Sequence, residues 1–431
     1  MPPPSENFVN GWGKNKGGSR TMTKRTWLVR GRWFLLLGAF LFVLAGCGTG
    51  GKGTSDTGSP QASTPSGGEA AKGEVKIGLN LELSGNVSSY GTSAANGAEL
   101  AAEELNKQGG IDGMTIKLVK QDNRSDNAES ANVAVRLMTQ DQVSAIIGAA
   151  TSGNTKAMIQ LSTENKVPVV SPTATAASVT VDEKTGQVHP YMFRACFIDP
   201  FQGKVAAQFA LNDLKAKTAA VYIDSSSDYS KGLAASFIDT FKAAGGTIVA
   251  EESYVQKDTD FRSTLTRIKD KNPDVLYVPG YYEEVGLIIK QARELGYTGP
   301  IVGGDGWDSP TLLELAGKEA LNNTFFTNHY SSEDPDPAVQ AFVKAYKDKF
   351  GKTPDGFAAL GYDAMYLLAD AIKRAGSSDP EKIAQALAET KDLQLVTGKI
   401  SIDENHNPVK AAAIIEFKDG KQTFRTKVQP E

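Results

Sequence analysis

The chain has 431 residues, of which 40% are hydrophobic and 22% are charged. A chain of this length and ordinary globular composition exceeds one typical domain, so we expect two lobes. Its formal net charge of -4 leaves no basic excess to neutralise a phosphate backbone. This argues against nucleic acid as a partner and favours a small-molecule ligand.

The N-terminal residues 1–46 have the pattern of a signal peptide. Basic residues precede an apolar run over residues 33–44, which is shorter than the roughly 20 residues that a membrane-spanning helix needs. The run ends in Leu-Ala-Gly-Cys, which resembles the bacterial lipobox, where the thiol of the cysteine takes a diacylglycerol. We therefore expect lipidation of Cys47 and an extracytoplasmic, lipid-anchored protein. The alternative is a single N-terminal transmembrane anchor with an incidental cysteine.

Residues 47–73 are rich in Gly, Ser, Thr and Pro, which predicts a flexible tether. The tether contains a GxGxxG match, but no strand precedes it and no helix follows it, so we reject a dinucleotide site. If Cys47 carries lipid, Cys196 has no partner left for an intrachain disulfide. The three histidines lie far apart without metal-ligand spacing, so we expect neither a zinc site nor a cofactor.

From residue 74 onward, short β-rich runs alternate with longer segments of helical period, which is typical of βαβ units around a parallel sheet. In the first half, the pattern predicts a helix at residues 93–108 and strands at residues 75–80, 115–121, 145–148 and 167–170. The alternation of strand and helix patterns begins again after about residue 194, which indicates a second lobe. Its predicted strands cover residues 219–223, 247–254, 275–278 and 301–302, with helices at residues 231–244 and 261–271.

The last hundred residues predict three more helices and then three short strands. The helices cover residues 338–350, 357–374 and 381–390, and the strands cover residues 399–402, 412–417 and 423–428. These elements could belong to either lobe. The predicted fold class is α/β, with two doubly wound lobes.

Ligands of open α/β sheets bind outside the carboxyl ends of the strands, so the loops there are the candidates for a site. Ser152 begins a helix just after the strand that ends at Gly148, and the free N–H groups of such a turn can bind a carboxylate. An ordinary helix N-cap explains the same residues equally well. Thr175 ends a hydroxyl-rich turn after the next strand, so it could share one carboxylate with Ser152.

Asp305 follows a strand of the second lobe, and the glycines beside it allow a close approach of backbone to a ligand. Its carboxylate could hold an ammonium group, or it could stabilise its own turn. Four aromatic residues in predicted loops or helix starts can line a pocket, although each alone is more typical of core packing. They are Tyr90, Tyr229, Tyr281 and Phe357.

The body from residue 74 to the C-terminus resembles the Leu/Ile/Val-binding protein family of periplasmic binding proteins, which has the type I fold. The motifs that carry the resemblance stand in family order. They are Leu-Ser-Gly at residues 83–85 with Tyr90-Gly91, NKQGGIDG at residues 106–113, residues 171–175, Asp260-Phe261, and Gln-Ala-Arg at residues 291–293 with Gly296.

The resemblance implies that Ser152 and Thr175 bind the α-carboxylate of an amino acid, with backbone help near Ala150 and Thr173. It implies that Asp305 binds the α-amino group and that the four aromatic residues wall the side-chain pocket. An all-aromatic wall favours an aliphatic ligand such as Leu, Ile or Val, because burying an unpaired charge is costly.

Two departures from the family pattern bear on the ligand. The family acid is often Glu, so the shorter Asp305 would meet the ammonium deeper in the pocket or through water. Asn86 stands where Pro often follows the Leu-Ser-Gly motif.

The resemblance also implies a hinge of three crossings, near residues 194–201, 327–332 and 396–403. The first lobe would then comprise residues 74–194 and 329–397, and the second lobe residues 195–328 and 398–431. A monomer with these lobes would close on its ligand and dock on the permease of an ABC importer.

Other functions stay open at this level. Some members of the family bind amides, urea derivatives or other amino acids, and the fold also serves ligand-sensing modules. We expect no enzyme, because the chain carries no GxSxG, CxxC or HExxH motif.

Overall fold

The computed structural model describes residues 73–429. The predicted signal peptide, Cys47 and almost all of the predicted tether lie outside these residues. Among the described residues, no helix combines the length and the apolarity that crossing a membrane requires.

The first sheet has five strands, all parallel, in the order β2-β1-β3-β4-β5. The strands are β1 (Glu74–Leu81), β2 (Thr115–Asp122), β3 (Ala145–Gly148), β4 (Val169–Ser171) and β5 (Met192–Arg194). The helices between them are α1 (Ser88–Lys107), α2 (Asn127–Thr139), α3 (Ser152–Lys156) and α4 (Ile159–Asn165). Strand β3 is buried along its whole length, as expected for a central strand covered on both faces.

The second sheet has seven strands in the order β14-β13-β10-β9-β8-β6-β7. Its first part contains α5 (Asp199–Asn212), β6 (Thr218–Asp224), α6 (Asp228–Ala243), β7 (Thr247–Tyr254), α7 (Arg262–Asp270), β8 (Val275–Tyr277), α8 (Tyr282–Glu294), β9 (Ile301–Gly303), α9 (Pro310–Ala316) and β10 (Thr324–Asn328). These strands are parallel to one another, so their carboxyl ends share one edge.

The C-terminal elements divide between the two sheets. They are α10 (Pro337–Phe350), α11 (Gly356–Ala375), α12 (Pro380–Ala388), the hairpin of β11 (Leu393–Leu395) and β12 (Gly398–Ile400), β13 (Ala412–Lys418) and β14 (Lys421–Val428). Strand β13 pairs antiparallel with β10 and with β14, which extends the second sheet. The chain thus passes between the two halves of the molecule three times, after β5, after β10 and after β12.

Helix α11 packs tightly on α1 because both helices carry a glycine at the crossing. A Cβ at Gly97 would lie 2.0 Å from the carbonyl oxygen of Ala358, and a Cβ at Gly361 would lie 2.1 Å from that of Ala94. Only glycine therefore permits this approach. The crossing fixes α11 beside the first sheet and places Phe357, near the start of α11, against Tyr90, near the start of α1.

The α/β prediction is confirmed, and most predicted elements form with ends displaced by a few residues. The predicted strands at residues 145–148 and 247–254 match β3 and β7 in full. The prediction missed helices α2, α5, α8 and α9 and strands β5, β10 and β11. The strand predicted at residues 399–402 forms a hairpin with β11 and joins neither large sheet.

Candidate ligand-binding site

A small cavity of about 10 Å³ lies between the carboxyl ends of the two sheets. Eight of the nine residues that the sequence predicts for the site line it, together with Gly306. The eight are Tyr90, Ala150, Ser152, Thr173, Tyr229, Tyr281, Asp305 and Phe357. Thr175, the ninth, is buried but does not belong to the lining.

Two stacked aromatic pairs wall the cavity, one from each half of the molecule. The rings of Tyr90 and Phe357 are stacked with their centroids 4.1 Å apart, and those of Tyr229 and Tyr281 with their centroids 5.1 Å apart. Tyr90 also meets Tyr281 edge to face at 5.7 Å, which closes the wall across the cleft. Burial raises the pKa of Tyr90 and Tyr229 well above the usual value, so both walls consist of neutral rings.

Asp305 is the one acidic residue in the lining, and three donors hold its carboxylate. Gln202 Nε2 and Tyr229 Oη each donate to Asp305 Oδ1 at 2.8 Å, and His329 Nε2 lies 2.9 Å from Asp305 Oδ2. The register of the sheet explains the third contact: Gly303 lies beside Phe326, so the chain beyond β9 and the chain beyond β10 run on together. Asp305 and His329 are both buried.

The glycines beside Asp305 make room for Tyr229. A Cβ at Gly304 would lie 2.7 Å from Tyr229 Oη, and a Cβ at Gly306 would lie 3.0 Å from the same oxygen. The backbone N–H of Gly306 in turn donates to Tyr229 Oη at 2.9 Å. The sequence had suggested that these glycines admit a ligand, whereas the atom nearest to the Cβ position is Tyr229 Oη at Gly304 and Gly280 O, at 2.8 Å, at Gly306.

The predicted carboxylate turn at Ala150 already holds an internal carboxylate, that of Glu82. Glu82 accepts hydrogen bonds from Ala150 N at 2.9 Å, Thr151 N at 3.0 Å, Thr151 Oγ1 at 2.9 Å and Asn154 Nδ2 at 2.8 Å. Asn80 pairs with Gly148 in the sheet, so Glu82 and Ala150 meet two residues farther along neighbouring strands. The N–H of Ala150 thus already has an acceptor within the chain, and backbone help to a ligand from near Ala150 stays a prediction.

Ser152 and Thr173 line the cavity and supply its candidate neutral donors. Ser152 is the first residue of α3, where a backbone N–H has no acceptor within the helix. Its Oγ accepts a hydrogen bond from Ala176 N at 3.2 Å, so its hydroxyl hydrogen stays available. The Thr173 hydroxyl donates to Ala150 O at 2.6 Å, while its N–H lies outside any strand ladder.

Thr175 lies behind the lining, next to a buried acid. Its hydroxyl has no hydrogen-bond partner, and its carbonyl accepts from Asp199 N at 3.0 Å. Both carboxylate oxygens of Asp199 also lack a partner. Burial raises the pKa of Asp199 well above its usual value, which favours the neutral acid.

The lining therefore has a simple charge pattern. It contains one carboxylate, hydroxyl and backbone donors opposite it, aromatic walls, and no Lys or Arg. A zwitterion matches this pattern, with its cation at Asp305 and its anion at Ser152 and Thr173. Sequence reasoning missed Glu82, Gln202 and His329. Glu82 carried a signal, because it follows a strand that the sequence predicts, whereas His329 follows β10, which the sequence analysis did not predict.

Comparison with known proteins identifies the family. Residues 74–422 match the family described as periplasmic binding protein. The Leu/Ile/Val-binding protein BraC3 of Rhizobium johnstonii is 34% identical over 336 residues, which cover 78% of this chain and 89% of BraC3.

Two solved structures are also similar. The leucine-binding protein LivK of Thermotoga maritima is 40% identical with a TM-score of 0.78, and the alignment covers 83% of this chain and 99% of LivK. LivJ of Streptococcus pneumoniae, a branched-chain amino acid transporter substrate-binding protein in complex with isoleucine, is 42% identical with a TM-score of 0.78 and coverages of 83% and 100%. The predicted resemblance and the type I fold are thereby confirmed. The chain belongs to the Leu/Ile/Val-binding proteins of the periplasmic binding protein family.

Proposed function

We propose that this protein captures a free α-amino acid with a branched aliphatic side chain, Leu, Ile or Val, and delivers it to the permease of an ABC importer. The observation that carries the proposal is the charge pattern of the cavity. Asp305 supplies one anion, the opposite side supplies neutral donors at Ser152 and Thr173, and four aromatic rings leave an apolar space between them. A branched-chain amino acid satisfies all three features, whereas a ligand with a charged side chain would bury that charge unpaired.

Capture proceeds by hinge closure. The ligand first docks through its carboxylate on the first lobe, and the second lobe then brings Asp305 and Tyr229 over its ammonium group. Contacts between the two halves support this closed form. Ser309 Oγ donates to Ser89 Oγ at 2.8 Å, and Lys156 Nζ lies 2.5 Å from Asp228 Oδ2. A ligand that adds contacts only in this form shifts the equilibrium towards it.

The protein acts outside the cytoplasm as a lipid-anchored monomer without a cofactor and without catalytic turnover. The family supports an extracytoplasmic place, and the signal-peptide pattern of residues 1–46 supports export. The lipobox-like sequence before Cys47 supports the anchor. The anchor has its own test: Cys47→Ser should move the protein from the membrane fraction to the soluble fraction and abolish incorporation of labelled fatty acid.

Thermal unfolding tests the ligand. The full-length protein, purified in detergent and freed of bound ligand by reversible denaturation, is heated with each of the twenty amino acids and with simple amides. A ligand that binds only the folded state raises the midpoint. We expect a rise with Leu, Ile or Val that Asp305→Asn removes and that the surface control Asp213→Asn retains. If the midpoint rises only with amides or with other amino acids, the ligand is one of those compounds and not Leu, Ile or Val. If the midpoint rises with none of them, the proposal is contradicted.

A further inference from the structure

We infer that Gln202 and His329 are positioning residues, which hold the Asp305 carboxylate so that its one free acceptor site faces the ammonium group of the ligand. The inference rests on the proposed function and deepens it. Gln202 and His329 would then help the protein to select α-amino acids over carboxylic acids of the same shape that carry no ammonium group.

The first step is the count of acceptor sites on Asp305. An ionised carboxylate has about four lone-pair sites. Gln202 and Tyr229 donate to Oδ1, and His329 donates to Oδ2, so three sites are filled and one remains on Oδ2. Because Asp305 lines the cavity, a donor that enters with the ligand can fill this last site.

The second step is the charge. His329 Nδ1 is buried without a partner, so a proton on that nitrogen would be an unsatisfied donor, and Nε2 carries the hydrogen that Asp305 accepts. Burial lowers the pKa of His329, although Asp305 opposes this, so the ring is neutral near pH 7. All three donors to Asp305 are then neutral, and the negative charge lacks a counter-ion. A buried carboxylate in this state favours a ligand that brings a cation.

The third step is that the three donors to Asp305 come from three different segments of the chain. Tyr229 lies in α6, Gln202 lies in the first turn of α5, and His329 directly follows β10. Gln202 and His329 do not line the cavity, so they reach the ligand only through Asp305. Both stand close to points where the chain passes between the two halves. Three bonds from three segments fix the carboxylate more firmly than one turn could.

The experiment compares two probes that differ in one group, L-leucine and L-2-hydroxy-4-methylpentanoate, by calorimetry on the full-length protein. Gln202→Met and His329→Leu each remove a donor to Asp305 with little change of volume. We expect each variant to bind leucine about tenfold more weakly, as the loss of one charge-assisted hydrogen bond predicts. Binding of the hydroxy acid should change less than about twofold, since it has no ammonium for Asp305 to hold. His329→Gln, which keeps a donor near the position of Nε2, should restore much of the leucine affinity.

Gln291→Met is the matched control. Gln291 is buried in α8, where it donates to Thr259 O at 2.8 Å and accepts from Phe261 N at 2.7 Å, away from the cavity. This variant should lower the unfolding midpoint without changing the ratio of the two affinities. If the hydroxy acid binds too weakly to measure, a double-mutant cycle on leucine binding takes the place of the affinity ratio. Once Asp305 has been changed to Asn, the further change Gln202→Met should weaken leucine binding by less than twofold.

The outcomes separate the two proposals. If the unmutated protein binds leucine but Gln202→Met and His329→Leu weaken both probes equally, or neither probe, the positioning role is refuted and the proposed function stands. If the unmutated protein binds no α-amino acid, the proposed function fails first, and the positioning role fails with it.

Discussion

Replacing Glu82 by glutamine should destabilise the protein by about 1–3 kcal/mol, because one buried N–H group would lose its acceptor. Three of the four donors to Glu82 point at Oε1, and the fourth, Ala150 N, points at Oε2. The amide oxygen of glutamine can replace Oε1, but its NH2 group must then face the N–H of Ala150. The loss of charge assistance in the other three bonds is offset by the smaller cost of burying a neutral group.

Urea unfolding of the ligand-free variants measures this effect. Glu82→Leu removes every acceptor and should cost more than Glu82→Gln, since four donors then lose their partner. Glu104→Gln is the control: Glu104 accepts from the hydroxyls of Tyr362 and Tyr366, and a hydroxyl can rotate to accept from an amide. A free energy of unfolding for Glu82→Gln within about 0.5 kcal/mol of the unmutated protein, the range of ordinary surface substitutions, would refute the reasoning.

Three further predictions concern the cleft. Tyr90→Phe removes the hydroxyl that donates to Gly306 O across the cleft and should weaken leucine binding about tenfold in calorimetry, while the aromatic wall stays intact. Burial and the nearby Asp308 raise the pKa of Asp355 to about 7, so the folded state keeps a proton there that the unfolded chain loses near pH 4. Stability should therefore fall as the pH rises from about 4 to 7, and Asp355→Asn should remove this part of the slope in thermal unfolding. Phe357→Ala should open the wall and raise the affinity for phenylalanine relative to leucine, and an unchanged ratio would contradict the assignment of Phe357 to the side-chain pocket.

The fold was largely predictable because buried strands and amphipathic helices leave local patterns. Strand β7 was located in full. Helix α5 was not predicted because it packs against α6 as well as against the sheet. Its buried residues are therefore spread around the helix, and the sequence lacks the one-sided hydrophobic pattern of an amphipathic helix. Helix α2 carried a signal that the prediction did not use, since Asp126 caps it by accepting from Glu129 N.

The sequence predicted which loops form the cavity, but it predicted less well which side chains contact one another there. The rule that ligands bind at the carboxyl ends of strands singles out Ser152, Thr173 and Asp305 without any knowledge of the sheet order. It cannot tell whether a side chain four residues beyond a strand faces the cavity, which is why Thr175 was expected in the lining. Gln202 and His329 each lie more than twenty residues from Asp305 in the sequence, although both contact it in the structure. A local sequence pattern cannot predict a contact over such a separation.

Glu82 and Asp305 show why the function of a buried acid depends on its donors. Both are acidic residues that follow a buried strand, and only Asp305 has glycines beside it. Glu82 has four donors, three at Oε1 and one at Oε2, and two of them are backbone N–H groups just before α3. Asp305 has three neutral donors and keeps one acceptor site and an unmatched charge. The donors to Glu82 all come from the chain itself, whereas under the proposed function the charge of Asp305 is matched when a ligand brings a cation.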